Sequence, residues 1–235
     1  MGELAAILTG GLGTRLKAAV PDLPKPLAPV RGRPFLSYLL GWLGSEGVED
    51  AVLLLGHGGP AMQDFLAGWN AAGWPPRLAA SVETEPLGTG GAVRLALGLL
   101  PEEFYLLNGD SLCPLPLEEL AGSHRQGGRE LTIAAVHEPE GAARGALDIG
   151  PDARVRGFAE KSRAGPGWIN AGVYRARRGL FEELPEGRAV SLERELIPEW
   201  IARGVSVGAY RARAPFLDIG TPADWERAQQ EGWLQ

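Results

Sequence analysis

Residues 4–16 read LAAILTGGLGTRL: five apolar residues, then three glycines within four positions, then an arginine. A continuous apolar run of this length predicts a strand buried on both faces, as in a parallel sheet. Gly10, Gly11 and Gly13 permit close backbone approach and positive φ, so successive N–H groups can converge on an anion. Arg15 then adds a planar, five-donor cation suited to phosphate. Leu8 and Thr9 lead into the loop and Thr14 closes it, which makes this segment the candidate phosphate cradle. Two familiar phosphate loops are excluded. A dinucleotide fingerprint would need a third glycine where Leu16 stands, and Gly-Lys-Ser/Thr occurs nowhere in the chain.

Apolar runs at 51–55, 78–82, 104–107 and 131–136 predict further strands, and amphipathic stretches at 35–46, 60–72, 89–100 and 115–125 predict helices, each bounded by glycine or proline. Strand alternating with helix in this order predicts a mostly parallel sheet with helices on both faces. Beyond about residue 140 the runs at 146–149, 155–159, 169–174 and 205–210 read as strands lying closer together, with helices at 191–203 and 221–232. They predict a mixed second half that completes the same sheet. The expected fold is a three-layer α/β/α domain with a mostly parallel mixed sheet, spanning residues 1–235. The chain has no hexapeptide repeat, so no appended β-helix or other C-terminal domain is expected.

Composition narrows the function class. Hydrophobic residues make up 45% and charged residues 22%, the balance of a globular chain with a substantial core. With 23 Lys and Arg against 29 Asp and Glu, the chain lacks the basic excess of a nucleic-acid binder, so an anionic ligand must be met by a local patch. A lone cysteine, Cys113, excludes an intramolecular disulfide framework and a thiolate metal cluster. His57, His124 and His137 are too far apart for a helical zinc pair, and are read as structural. The first residues resemble neither a signal peptide nor an anchor, and no stretch approaches the roughly 18 apolar residues of a membrane span. A cytoplasmic location is expected, with no nucleic-acid or membrane partner; a homo-oligomer is compatible with the sequence.

The segment DLPKPLAPV, residues 22–30, holds Lys25 between Pro24 and Pro26 in an extended backbone, which keeps its ammonium in place. Lysine is scarce here, three against twenty arginines, so a compact point charge at this position is selected over the guanidinium used elsewhere. A glycine-rich loop with Arg15, followed ten residues later by a proline-flanked Lys25, resembles the signature of the sugar-1-phosphate nucleotidylyltransferases, or nucleotide-sugar pyrophosphorylases. EPLGTGG (85–91) is similar to that family's base-binding turn and LLNGDS (106–111) to its strand-end aspartate motif. FAEKS (158–162) and WINAGVY (168–174) resemble its sugar-phosphate segments, and FLDIGTP (216–222) its second metal aspartate. The wording of residues 20–40 is most similar to the heptose 1-phosphate and mannose-1-phosphate guanylyltransferase branches. Thr9 stands where the family usually has alanine, Ser162 where it has proline, and RGALDI (144–149) matches its segment loosely.

The resemblance implies a Rossmann-like, glycosyltransferase-A-like fold. The implied reaction joins a nucleoside triphosphate to a sugar 1-phosphate, releasing pyrophosphate. Arg15, Lys25, Asp110 and Asp218 are the implied catalytic residues. Asp110 and Asp218, each ending a strand motif, suit Mg²⁺, a hard cation bound by one or two carboxylates plus phosphate oxygens. Leu8, Thr9, Gly10, Gly11, Gly13, Thr14, Glu83, Gly88 and Thr89 are expected at the nucleotide, and Gly145, Glu160, Lys161, Asn170 and Gly172 at the sugar phosphate. Arg194 reads as a solvated helix residue that could add to the phosphate grip, and Trp168 as core. Glu83 lies five positions before Gly88, where relatives using thymidine or uridine triphosphate tend to carry glutamine. Its carboxylate suits guanine's two adjacent donors, with Glu85 as the rival acid. The alternatives are a thymidylyl- or uridylyltransferase acting on glucose or aminosugar 1-phosphates, and a silent nucleotide-sugar-binding subunit.

Overall fold

Strand β1 (Glu3–Leu8) is the spine of the molecule, with Ala5, Ala6 and Ile7 fully buried. The computed structural model describes residues 3–11, 15–16, 19–56, 60–139, 146–158 and 166–234. After a short ribbon (β2, Pro29–Val30; β3, Arg33–Pro34) helices and strands alternate: α1 (Phe35–Ser45), β4 (Val48–Leu55), α2 (Pro60–Ala72), β5 (Arg77–Val82), α3 (Gly88–Leu95) and β6 (Glu103–Asn108). The two-residue β7 (Ser111–Leu112) leads into α4 (Leu117–Gln126) and β8 (Leu131–Glu138). There follow β9 (Leu147–Ile149), β10 (Val155–Phe158), β11 (Gly167–Arg177), α5 (Gly179–Glu182), α6 (Ile197–Ala202), β12 (Val207–Arg211), β13 (Leu217–Asp218) and α7 (Pro222–Ala228).

Seven strands form one sheet in the order β12-β8-β11-β6-β1-β4-β5. β1 pairs in parallel with β4 and β6, β4 with β5, and β8 with β12; β11 alone runs antiparallel, between β6 and β8. Because alternate side chains of a strand face opposite sides, Ala5 and Ile7 pack with α1, α2 and α4, whereas Ala6 packs with α3, α5 and α6. This is the three-layer arrangement expected from the apolar runs. In α1, Phe35, Leu36, Leu39, Leu40 and Leu43 recur at helical spacing and are all fully buried. α4 carries Glu118 and Glu119 in its first turn and Arg125 in its last, matching the helix dipole, and Glu46 Oε2 accepts the N–H of Leu117, its first residue, at 2.8 Å.

The second half departs from the sequence expectation in two places. β11 and β12 enter the sheet, but β9 and β10 pair with each other as a separate ribbon, touching the sheet through single bridges at Ala146–Ile169 and Arg154–Gly208. The helix expected at 191–203 begins as a π-helical turn, Leu192–Leu196, before α6 takes over. Both differences come from tertiary pairing, which helical periodicity does not encode.

At the ends of the central strands away from the glycine loop, Arg175 is buried, pairs with Glu3 at 2.6 Å and Glu103 at 3.5 Å, and lies 4.5 Å over the Tyr105 ring. His124 packs beside this cluster, fully buried, with Nδ1 at 2.9 Å from Thr132 Oγ1 and Nε2 without a hydrogen bond. Burial lowers the imidazole pKa from 6.5 to about 4, opposed by Glu103 and reinforced by Arg175. A group whose pKa is depressed on folding contributes stability that is present above its unfolded value and lost as pH falls toward the folded one. His124 is therefore expected to make the fold about 2–3 kcal/mol less stable at pH 4.5 than at pH 7. Urea unfolding of wild type and His124→Leu at both pH values measures this; equal acid losses in the two proteins would refute it.

Candidate active site

Three adjacent parallel strands end side by side, and the backbone beyond them is drawn together. Thr9 N–H donates to Leu54 O at 3.0 Å and Gly109 N–H to Leu8 O at 2.9 Å. A Cβ on Gly10 would stand 2.7 Å from Gly56 N, one on Gly56 2.7 Å from Gly10 O, and one on Gly109 2.8 Å from Leu8 O. Glycine is required at all three because backbone occupies the place of a side chain. The Thr9 hydroxyl also donates to Leu54 O, at 2.9 Å, so this departure from the family's usual alanine is spent on joining the two strand ends.

This floor presents the charged groups. Lys25 does not lie in the extended backbone expected of it: Pro24 is extended, and Lys25 opens a single 3₁₀ turn, Lys25–Leu27; its side chain is 11% exposed, and its ammonium donates to Asp110 Oδ2. Asp110 lies just beyond β6, and Asp218 ends β13, which pairs antiparallel with β7 so that Asp218 stands opposite Ser111. Asp218 Oδ1 accepts the Gly220 N–H, and Ile219 N–H donates to Asp110 O at 3.0 Å. Burial, then the charge of Asp110, raises the Asp218 pKa, while Lys25 opposes the shift. Two mutually repelling carboxylates share one lysine. The hard oxygens of these two carboxylates would suit a divalent cation that takes the rest of its ligands from phosphate oxygens and water.

The opening is bounded on one side by the turn between β5 and α3, where the sequence places the base. Glu83, 9% exposed, follows β5; its N–H donates to Leu55 O at 2.9 Å, and its Oε2 accepts the Leu87 N–H at 3.1 Å. Burial raises its carboxyl pKa, and the Leu87 N–H opposes this. Gly88 adopts φ +68°, and a Cβ there would stand 2.7 Å from Val190 O, so its role includes packing against that segment. On the other side β11 bulges between Asn170 and Tyr174. Gly172, at φ +70°, donates its N–H to Asn170 Oδ1 at 2.9 Å and lies against Ser111 and Asn108.

Leu8, Thr9, Gly10, Gly11, Arg15, Lys25, Glu83, Gly88, Thr89 and Asp110 line one cavity of about 590 Å³, with Asn108, Glu193 and Arg194. Asn108 and Glu193 were not singled out from the sequence, and Arg194, read there as solvent-facing, reaches this cavity. Gly13, Thr14, Gly145, Glu160, Lys161 and His57 lie outside the described residues. A larger hollow of about 1030 Å³ opens between α1 and α2, but the polar atoms of its Tyr38, Trp42 and Trp69 are turned inward onto carbonyls, so it offers no comparable chemistry.

A strand-end anion cradle, a clamped lysine and paired carboxylates on a mostly parallel sheet define an enzyme that handles nucleotide phosphates. The chain belongs to the nucleotidyl transferase family, whose profile matches residues 4–232. It is 35% identical over 228 residues to the D-glycero-alpha-D-manno-heptose 1-phosphate guanylyltransferase of Aneurinibacillus thermoaerophilus, covering 97% of each chain. It is 32% identical to the mannose-1-phosphate guanylyltransferase of Mycobacterium tuberculosis, covering 97% of this chain and 64% of that one. Among solved structures, HddC from Yersinia pseudotuberculosis complexed with GMP-PN superposes with a TM-score of 0.86 at 33% identity, covering 97% of this chain and 98% of that one. Among the described residues, no helix is long and apolar enough to cross a membrane.

The contact between Gly172 and the strand after β6 can be tested directly. A Cβ at position 172 would meet Ser111 Oγ at 2.6 Å and Asn108 Nδ2 at 2.8 Å, at a φ that side chains avoid. Gly172→Ala is expected to cost about 1–3 kcal/mol of stability and to displace the Asn108–Ser111 turn that carries Asp110. Thermal unfolding together with turnover checks it, and wild-type values for both would refute the assignment.

Proposed function

We propose that this chain acts as a single nucleotidyltransferase unit that transfers guanylyl from GTP to a heptose or mannose 1-phosphate, forming a GDP-sugar and pyrophosphate in the cytoplasm. The observation that carries the reading is the meeting of Lys25, Asp110 and Asp218 beside Arg15 and the glycine floor. The two curated relatives described above are both guanylyltransferases, which favours guanine over the uridylyl and thymidylyl alternatives. The intact set of charged groups, Arg15, Lys25, Asp110 and Asp218, argues against a silent subunit.

The sugar phosphate oxygen attacks the α-phosphorus, and the bond to pyrophosphate breaks. That oxygen is ionised at neutral pH, so no side chain needs to remove a proton, and the work is positioning and charge neutralisation. The loop amides and Arg15 hold the triphosphate. Lys25, freed from Asp110 by the incoming phosphates, grips the α-phosphate and the attacking oxygen. Glu160, Lys161, Asn170 and Gly172 receive the sugar 1-phosphate. A Mg²⁺ ion held by Asp110 and Asp218 supplies further neutralisation of phosphate charge. Asp110→Asn is expected to lower kcat by roughly two decades or more. Steady-state rates at saturating magnesium and substrates measure this, and turnover within threefold of wild type would overturn the role.

Base choice is assigned to Glu83. Guanine presents N1–H and the 2-amino group side by side, and a carboxylate accepts both in a charge-favoured pair. Uracil and thymine would set a carbonyl oxygen against the buried charge. The mismatch is worth on the order of 1–3 kcal/mol, or one to two decades in kcat/KM. Wild type should prefer GTP, and Glu83→Gln should erode that preference by about tenfold. Comparing kcat/KM for GTP, UTP and dTTP in both proteins decides the point; a wild-type preference for a pyrimidine nucleotide would sink it.

A further inference from the structure

A continuous file of hydrogen-bonded side chains runs from Thr89 and Glu193, which line the cavity, to the β11 bulge at Asn170–Gly172. Thr89, in the first turn of α3, donates its hydroxyl to Glu193 Oε2 at 3.1 Å and accepts the Leu192 N–H at 2.7 Å. Ser191 Oγ reaches the same carboxylate oxygen at 3.4 Å. The other oxygen, Glu193 Oε1, accepts from the Tyr174 hydroxyl at 3.4 Å, and Tyr174 accepts the Asn170 amide at 2.7 Å. Asn170 Oδ1 in turn accepts the Gly172 N–H at 2.9 Å. Tyr174 is fully buried, and burial next to Glu193 holds its pKa well above 10, so it remains a neutral hydroxyl with one proton to give.

Donor and acceptor capacity then fixes the direction of each bond. An ionised carboxylate only accepts, so the Tyr174 proton points to Glu193 and its lone pair faces Asn170. The Asn170 amide is therefore set with nitrogen toward Tyr174 and oxygen toward Gly172. Among the described residues, one N–H and one oxygen lone pair of this amide have no partner, a pair suited to a sugar hydroxyl that both donates and accepts. The same carboxylate holds Thr89 beside Gly88 at the base turn. The π-helical turn Leu192–Leu196 is what places Glu193 between the two walls, in keeping with the use of such turns at functional positions.

We infer that Glu193 is a positioning residue which, through Tyr174, holds the Asn170 amide in the orientation that receives a sugar hydroxyl, while its second oxygen ties that wall to the base turn through Thr89. The inference rests on the proposed sugar 1-phosphate reaction. Its test uses Tyr174→Phe, which keeps the ring and removes both hydroxyl bonds, Glu193→Gln, Asn170→Ala and the double variant Tyr174→Phe/Asn170→Ala, each assayed with GTP and the sugar 1-phosphate that wild type uses best. Tyr174→Phe and Glu193→Gln are expected to raise KM for the sugar 1-phosphate about tenfold, with the smaller part of the loss in kcat. For Tyr174→Phe, KM for GTP should stay within about twofold, because Glu193 keeps its bonds from Thr89 and Ser191 when the Tyr174 hydroxyl is removed. The double variant should be no worse than Asn170→Ala alone, the mark of two groups acting as one unit. An unchanged sugar KM in Tyr174→Phe, a loss of thermal stability without a KM change, or additive effects in the double variant would each overturn the inference while leaving the reaction intact. If wild type turns over no sugar 1-phosphate with any nucleoside triphosphate, the proposed reaction itself fails, and this inference falls with it.

Discussion

Everything in the site hangs on backbone packed against backbone at the ends of β1, β4 and β6. Gly10 and Gly56 cross so closely that neither has room for a methyl group, and Gly109 presses on Leu8 in the same way. This closeness lets Thr9 and Gly109 bond to the neighbouring strand ends and converts three separate loops into one rigid floor. Asp110 follows Gly109 directly, and Glu83 is tied through its N–H to Leu55 at the end of β4. A floor built from main chain costs no side-chain entropy to order, so the charges it carries are already placed before a ligand arrives.

Electrostatics then divide the cavity into zones. At the phosphate end Lys25 neutralises part of the charge on Asp110 and Asp218, two acids that would otherwise repel each other. At the base end Glu83 is buried with a single backbone donor, Leu87 N–H, and keeps unused acceptor capacity. The two zones ask opposite things of a ligand: anionic oxygens near Lys25 and Arg15, and N–H donors near Glu83. On the proposed guanylyl transfer, a purine nucleotide with a donor edge would meet both demands at once.

The first half of the fold was legible because each central strand is a continuous apolar run and each turn is marked by glycine or proline; 4–8, 51–55 and 104–107 all fall inside observed strands. The glycines, Lys25 and both aspartates were legible as a series of short motifs. Glu193 was not, because the groups that give it meaning, Thr89 and Tyr174, lie 104 and 19 residues away and only tertiary packing unites them. The packing of Gly88 was hidden for the same reason, since its neighbour Val190 sits on a distant segment. The β9–β10 ribbon has the alternation of a sheet strand, and nothing local separates a strand that joins the main sheet from one that pairs only with its neighbour.

The strand order has a consequence for synthesis. β1, the spine, gains β4 early, but its other neighbour, β6, lies about a hundred residues after β1 itself, and β8, β11 and β12 must still be added beyond it. A chain emerging residue by residue holds the exposed edge of β1 open until residue 108 is made, and Asp218 comes later still. Pairings this distant in sequence are slow to form, and unpaired edges invite association with other chains. The nascent protein therefore passes through a stage in which the buried central strand β1 has one bare edge, a surface open to misassociation until β6 arrives.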